Sequence, residues 1–534
     1  MSRSIDAARS IDAARSMAHG EQLARVSRKF PDRTALVWQD DRRTFAELDR
    51  RVDRLSAALG ARGVGTGDRL ALLMGNSLEM VEALFAGWRL GALVVPVNFR
   101  LVAEEVRFVL DDAGASAIVV DEHLAHLVAE VRPTLDPLRT VVVHGAAEAA
   151  GAGGEAMADL FAGGGDTVPA PVVADHDPAL IMYTSGTTGR PKGAVLTHFN
   201  LVMSTLGSMI TQGITGEDDV WYANLPLFHI GGLSGILPYV MGGGTSVVVP
   251  STGFDADQAV ADLERYGVTG CVFVGLQWDT ICDAIERRQP PPRLALRRAS
   301  WGATGTPVSV LERVNRVLPG VPLFSFFGQT EMSPVTCVLR AEDAETKRGS
   351  VGRPIVNVEA RLVDQGGRVV GPGEVGEIVY RGPTVMQGYW NLPEADAEAF
   401  RDGWFHSGDL CRADEDGYLY VVDRTTDMIV SGGENIYCPE VEATLRAHPK
   451  VAEVAVIGVP HPRWDETPRA VVVPADPADP PDLDELVAWC RDRLASYKKP
   501  TSLAVVDQLP YNAAGKVMKP VLRRQYGAAD EHAG

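Results

Sequence analysis

Three observations predict an α/β fold in more than one part. The chain has 534 residues, more than one ordinary hydrophobic core holds, so two or more domains are expected. Short apolar runs alternate with stretches of helical periodicity from residue 34 onwards, and again from 218 to about 340. That alternation is the pattern of a parallel, doubly wound sheet covered on both faces. Beyond Asp427 a smaller αβ unit runs to about Arg524, set off by a break at 423–427.

The amino terminus carries a tandem repeat, Ser4-Ile5-Asp6-Ala7-Ala8-Arg9 followed by Ser10-Ile11-Asp12-Ala13-Ala14-Arg15. It lacks the long apolar core of a secretion signal, and residues 1–20 read as an extension without function, with Met17 as an alternative start. From there, 34–38 reads as a strand, Asp40-Asp41 as a hairpin turn and 43–45 as the return. A helix follows, with Leu48, Val52, Leu55 and Leu59 at near-helical spacing. Residues 63–68 form a turn, 69–74 a buried strand, 79–88 a helix and 92–96 another strand. The Ala- and Gly-rich stretch 144–166 reads as a surface connection. In 349–381, short strands separated by Gly366-Gly367 and Gly371-Pro372-Gly373 suggest an antiparallel barrel or sheet. The expected division is 1–20, 21–425 and 426–534.

Composition excludes several function classes. A net charge of -19 argues against nucleic acid or an anionic membrane surface as the main partner. No apolar run is long enough to span a bilayer. The six cysteines, at 271, 282, 337, 411, 438 and 490, form no C-x-x-C pair. They read as reduced thiols of a cytoplasmic protein, not as a disulfide framework or zinc site.

One stretch organises the rest: Tyr183-Thr184-Ser185-Gly186-Thr187-Thr188-Gly189-Arg190-Pro191-Lys192-Gly193. It follows the apolar run Ala179-Leu180-Ile181-Met182 and precedes Ala194-Val195-Leu196-Thr197, after which His198 opens a helix. A loop of Gly, Ser and Thr leaving a strand lets backbone N–H groups and hydroxyls converge on an anion, and Arg190 and Lys192 add positive charge. The chemistry this favours is grip on a polyphosphate. It is not the common mononucleotide loop, because Lys192 is followed by Gly193 and not by Ser or Thr.

The stretch closely resembles the phosphate loop of the adenylate-forming enzymes, the superfamily of acyl-CoA synthetases, peptide-synthetase adenylation domains and firefly luciferase. The resemblance runs from about residue 20 to 526 and is closest to the acyl-CoA synthetases. It implies a large N-terminal domain of αβ layers with a small β-barrel, and a smaller, mobile α+β C-terminal domain. By the same resemblance Thr184, Ser185, Gly186, Thr187, Thr188, Gly189 and Lys192 hold the phosphates of ATP.

Phe327-Gly328-Gln329-Thr330-Glu331 matches the family's Tyr-Gly-x-Thr-Glu motif with Phe for Tyr. A carboxylate beside a hydroxyl at a strand end suits Mg²⁺ and phosphate. The resemblance gives Thr330 the α-phosphate, Glu331 the metal, and Phe327, Gly328 and Gln329 the nucleotide. Asp409, in Trp404-Phe405-His406-Ser407-Gly408-Asp409, and Arg424 are assigned to ribose and phosphate. Lys516 falls on the Pro-x-x-x-x-Gly-Lys signature, whose lysine bridges carboxylate and α-phosphate oxygens, and is the expected source of transition-state stabilisation. The loop bearing Ser431, Gly432, Gly433 and Glu434 is implied to line the coenzyme A tunnel. Domain rotation between two half-reactions places a hinge at Thr426, where the family has Asp or Lys.

The acid pocket is implied by position. His229 in Pro226-Leu227-Phe228-His229 borders it, and Gly302 and Ala303 stand where the family has a Gly-Gly-Ala-Pro turn, beside the nucleotide. Trp301 and Trp278 give the pocket bulk and apolar character, and the substrate is expected to be a hydrophobic acid. The implied activity is an acid–thiol ligase using ATP, Mg²⁺ and coenzyme A on a small-molecule carboxylic acid. The alternatives are an acyl-AMP ligase loading a carrier protein, and a specialist that converts pre-formed acyl-AMP. A homodimer is the assembly to test.

Overall fold

The computed structural model describes residues 15–528 except 152, 163–170, 185–190, 303–307, 425–426, 432–433, 463, 492 and 512–515. Two compact units are present: residues 1–185, 191–359 and 381–400 form one, and 186–190, 360–380 and 401–534 the other.

The first unit contains two large sheets. One has eight strands in the order Gly388–Tyr389, Lys192–Thr197, Pro178–Thr184, Leu93–Pro96, Arg69–Leu73, Ala117–Asp121, Thr140–His144, Gly154–Ala156. From Pro178–Thr184 to Gly154–Ala156 its neighbours are parallel. The other has nine, running from Arg353–Pro354 through Val335–Leu339, Leu323–Gly328, Arg298–Gly302, Gly270–Val272, Val220–Ala223, Thr245–Val248 and Thr34–Trp38 to Asp41–Thr44. Its interior is parallel and its edge pairs antiparallel. Leu93–Pro96 and Ala117–Asp121 are buried at every position, which requires cover on both faces.

The early elements follow from their residues. Thr44 and Glu47 close a reciprocal cap at 3.1 and 2.9 Å, starting the helix Phe45–Ala61, which buries Leu48, Val52, Leu55 and Leu59. The helix Leu78–Arg89 is buried nearly all round, and the Trp88 indole N–H donates to the Ala179 carbonyl at 2.9 Å. The helix His198–Gln212 begins at a Thr197–Asn200 cap of the same kind.

Two expectations are corrected here. The stretch 144–166 is not a plain connection: it holds the edge strand Gly154–Ala156 and the helix Met157–Ala162, which buries Met157 and Leu160. Its scarcity of large apolar residues hid a short element that needs only two anchors. The extension does not reach residue 20. Ser16, Ala18 and His19 are buried, and the Ser16 hydroxyl donates to the Val173 carbonyl at 2.9 Å. Residues 1–14 lie outside the described residues.

In the second unit, Val375–Arg381, Trp404–Ala413 and Leu419–Arg424 pair antiparallel in an open five-stranded sheet. Of the stretch 349–381, Glu359–Val363 and Val375–Arg381 join this sheet, and Arg353–Pro354 edges the nine-stranded one. A second sheet contains Glu434–Ile436, Ile429–Ser431, Asp465–Pro474, Val451–His461 and Ser502–Val505. The compact units part near residues 359 and 400. Across 425–426 the Asp423 carboxylate accepts from the backbone N–H of Cys438 at 2.8 Å, and beyond that point Arg523 pairs with Asp427 at 2.8 Å.

One buried pair makes a pH prediction. His19 Nδ1 and His198 Nδ1 are 3.1 Å apart, with His19 2% and His198 0% exposed. Burial, then repulsion from His198, lowers the His19 pKa, and burial lowers that of His198 from 6.5 to about 4 against the pull of Asp175. The unfolded chain therefore binds more protons between pH 6.5 and about 4, so stability is full above that window and is lost as pH falls through it. His198 alone accounts for roughly 3 kcal/mol across the window. Denaturant titrations from pH 7 to 4 are expected to show the slope, and His198→Gln to flatten it. An unchanged slope in the variant would remove the pair from the account.

Candidate active site

The first unit builds a cluster around an antiparallel hairpin. Pro178–Thr184 and Lys192–Thr197 pair as a two-stranded stem with Thr184 opposite Lys192. Ser185, Gly186, Thr187, Thr188 and Gly189 lie outside the described residues; Thr184 and Lys192 mark the loop's two feet. Gly193 is required in the stem, because a Cβ there would stand 2.7 Å from Ile181 Cγ2. The Tyr183 hydroxyl anchors the stem, donating to Asp112 Oδ2 at 2.6 Å; burial, reinforced by Asp112, raises its pKa and keeps it a donor.

Phe327 and Gly328 end the strand Leu323–Gly328, and Thr330 and Glu331 lie in the single 3₁₀ turn Thr330–Met332 that follows. A Cβ at Gly328 would overlap the Pro334 carbonyl, and the Gln329 N–H donates to that carbonyl at 3.0 Å. These contacts fix the tight turn that presents Thr330 and Glu331. Glu331 Oε1 accepts from the Tyr389 hydroxyl at 3.0 Å, and the Lys192 ammonium lies 5.2 Å from the centre of the Tyr389 ring. The structure thus joins two motifs that are far apart in sequence. Among the described residues no three His, Cys, Asp or Glu side chains gather as a metal cage. A lone carboxylate fits Mg²⁺, which keeps waters and substrate phosphates as its other ligands.

The acid-pocket candidates separate. His229 is half-buried at the start of the helix Ile230–Gly242, its ring 5.4 Å from that of Phe228, which meets Phe99 edge-on at 5.1 Å. Gly302 ends the strand Arg298–Gly302, where a Cβ would lie 2.6 Å from the Phe326 carbonyl. Ala303 lies outside the described residues. Trp301, with Leu311, Leu323 and Leu339, lines a cavity of about 160 Å³. Trp278 is a core side chain: it is fully buried, edge-on to Phe273 at 5.0 Å, and its N–H donates to the Ser300 carbonyl at 3.0 Å. It braces the strand that ends at Trp301 and Gly302.

Asn76, which no motif flagged, holds the segment before His229. Its amide nitrogen donates to the carbonyls of Leu225 and Val249 at 2.9 and 3.1 Å, and its oxygen accepts from the Leu227 N–H at 2.8 Å. One side chain beyond the end of Arg69–Leu73 in the eight-stranded sheet thereby binds two loops of the nine-stranded sheet.

In the second unit, Asp409 and Arg424 are cross-strand partners, with Arg424 Nε donating to Asp409 Oδ1 at 3.0 Å. Burial raises the Asp409 pKa, opposed by Arg424 and Lys516. Lys516 stands near both. Part of its side chain reaches solvent, but surrounding protein desolvates the ammonium; this, with repulsion from Arg424, lowers its pKa against the pull of Asp409. Ser431 ends the strand Ile429–Ser431 and pairs with Glu434 across the hairpin. Gly432, Gly433 and Thr426 lie outside the described residues. Asp423 is integral: its two oxygens accept the backbone N–H groups of Arg424 and Cys438, and burial raises its pKa to about 6.

Comparison with known proteins bears on the whole chain. Residues 23–390 match the model of the AMP-binding enzyme family, and 440–516 match the AMP-binding enzyme C-terminal domain. The chain is 41% identical over 510 residues to a feruloyl-CoA synthase of an Amycolatopsis species, covering 95% of this chain and 99% of that one. It is 38% identical to an indoleacetate–CoA ligase of Aromatoleum aromaticum, covering 95% and 98%. The o-succinylbenzoate CoA synthetase of Bacillus subtilis, solved with its acyl-adenylate intermediate, aligns at TM-score 0.83 and 33% identity over 94% of this chain and 97% of that one. The same enzyme solved with ATP and a magnesium ion aligns at 0.81 and 33% identity over 94% and 99%. With both parts of the chain matched and relatives aligned almost end to end, this chain belongs to the AMP-binding enzyme family, within the adenylate-forming superfamily.

Proposed function

We propose that the chain joins a ring-bearing hydrophobic carboxylic acid to coenzyme A. It is an ATP-dependent acid–CoA ligase that works through an acyl-AMP intermediate. The observation that carries the reading is the gathering of Lys192, Glu331 and Tyr389 in a chain aligned along its length with acid–CoA ligases. The ring follows from the acids named in those relatives, which are feruloyl, indoleacetate and 2-succinylbenzoate.

In the first half-reaction a carboxylate oxygen attacks the α-phosphorus of ATP and the bond to pyrophosphate breaks. In the second the coenzyme A sulfur attacks the acyl carbon, AMP leaves, and the thiol proton is released. Lys192 and the hydroxyls of its loop hold phosphates, Thr330 meets the α-phosphate, and Asp409 and Arg424 fix ribose and phosphate. Lys516 stabilises the charge of the adenylation transition state. Glu331 holds Mg²⁺, which when bound neutralises phosphate charge. Phe327, Gly302 and Ala303 flank the nucleotide, His229 and Trp301 border the acid, and Ser431, Gly432, Gly433 and Glu434 meet coenzyme A.

Thr426 is the hinge, with the mobile part beginning at 426. Thr426→Asp is expected to change the ratio of the two half-reaction rates severalfold; an unchanged ratio makes the residue immaterial. Among the described residues no helix is long and apolar enough to cross a membrane. A cytoplasmic address suits the six cysteines, all buried and unbridged. The net charge of -19 speaks against nucleic acid as a partner. A homodimer is tested by light scattering.

The deciding experiment is mass spectrometry of products from ATP, Mg²⁺ and a panel of aryl, arylalkyl and fatty acids, with and without coenzyme A. Acyl-AMP without the thiol, and acyl-CoA with it, is expected for ring-bearing acids. A preference for fatty acids would overturn the acid class. An adenylate that coenzyme A does not consume would point to a carrier protein. Thioester from supplied acyl-AMP alone would establish the half-reaction specialist.

A further inference from the structure

Residues 386–390 run as a strap across the candidate site. The Met386 N–H donates to the Glu331 carbonyl at 2.8 Å, the Gln387 N–H to the Val195 carbonyl at 2.9 Å, and the Trp390 N–H to the Gly193 carbonyl at 2.7 Å. The Tyr389 N–H donates to Asp396 Oδ1 at 2.7 Å, and the Trp390 indole N–H to the Asp112 carbonyl at 3.0 Å. A Cβ at Gly388, whose φ is 156°, would stand 2.7 Å from Asp396 Oδ2, so the strap follows a path that only glycine allows there. The strap is thus tied to the phosphate hairpin through Gln387 and Trp390 and to the Thr330-Glu331 turn through Met386. Tyr389 projects from a rigid mount.

A tyrosine on such a strap is ordinarily a packing residue. Two contacts set this one apart. Its hydroxyl is spent on a carboxylate, Glu331 Oε1 at 3.0 Å, and its ring face is occupied by an ammonium, Lys192 Nζ at 5.2 Å. We propose that Tyr389 is a positioning residue whose hydroxyl aims the Glu331 carboxylate while its ring seats Lys192, so that one side chain sets the separation of the metal-holding and phosphate-holding groups. Carboxylates that take metal ions depend on such outer hydrogen bonds for their orientation. An ammonium over an aromatic face is held by the ring's quadrupole without being neutralised, so Lys192 keeps its charge for phosphate.

The inference rests on the ligase reading of this site, and the two contacts can be separated. Tyr389→Phe removes the hydrogen bond and keeps the ring. It is expected to raise the Mg²⁺ concentration for half-maximal adenylation about tenfold, with the KM for ATP at saturating Mg²⁺ unchanged. Tyr389→Leu removes both contacts and is expected to raise both quantities. The companion readout is calorimetric binding of Mg²⁺ to each protein in the presence of a non-hydrolysable ATP analogue, where the phenylalanine variant is expected to bind the metal more weakly. Equal metal binding and equal Mg²⁺ dependence in wild type and Tyr389→Phe would overturn the proposal. So would a loss of nucleotide affinity that saturating Mg²⁺ does not restore in that variant. Failure of the wild type itself to bind Mg²⁺ with the analogue would instead overturn the site reading beneath it.

Discussion

Replacing Lys516 with alanine is expected to slow acyl-AMP formation by about 10²–10³-fold, the cost of removing one preorganised donor from a developing negative charge. Thioester formation from supplied acyl-AMP is expected to continue, because no bond to phosphorus is made or broken in that step. The structural setting supports a charge reserved for chemistry. Lys516 immediately precedes Val517, which bridges to Tyr511, and it shares its neighbourhood with both Asp409 and Arg424. The carboxylate draws the ammonium toward the group assigned to ribose, while the guanidinium keeps it from being fully neutralised. Pyrophosphate release and acyl-CoA formation, measured separately on the same preparation, check the assignment. Equal loss in both steps would sink it.

The second large effect concerns stability. Asp219 and Arg298 are 1% and 4% exposed, and one carboxylate oxygen accepts from both guanidinium nitrogens at 2.8 and 2.7 Å. The other oxygen accepts the backbone N–H groups of Thr215 and Gly216 at 3.1 and 3.0 Å. Asp219→Ala strands a buried guanidinium and two amides, and is expected to destabilise the fold by about 3–5 kcal/mol. Asp219 immediately precedes the strand Val220–Ala223, and Arg298 begins Arg298–Gly302; these are the amino ends of parallel strands. His229 and Gly302 lie toward the carboxyl ends, where open α/β sheets place ligands. KM values for acid and ATP are therefore expected to hold while the thermal midpoint falls. Altered KM values at an unchanged midpoint would contradict this assignment of roles.

How far the sequence could be read depends on the range of the interaction. The early strands and helices were legible because burial there is local in its demands, as with Leu48, Val52, Leu55 and Leu59 on one helical face. Asp409 and Arg424 were legible as a pair through family spacing, and the structure supplies the physical reason, a cross-strand register. Tyr389 was not legible. It lies 58 residues from Glu331, and the pairing of Gly388–Tyr389 with the phosphate hairpin, with the Met386 bond to the Glu331 carbonyl, brings them together. The worth of Asp423 was not legible either, because it lies in two backbone amides, one of them 15 residues away. Trp278 was misjudged for the opposite reason: a large aromatic near a pocket motif suggests a wall, and here its N–H and its bulk are committed to the core.

The amide of Asn76 has a consequence for altering the acid that is accepted. All three of its bonds go to main-chain atoms, the carbonyls of Leu225 and Val249 and the N–H of Leu227. Main-chain bonds are indifferent to which side chains those positions carry. A library that randomises 225–229 therefore starts from a backbone already moored from another sheet. New side chains can be sampled there without each variant having to rediscover the loop, which makes this segment a natural place to redirect the enzyme by selection.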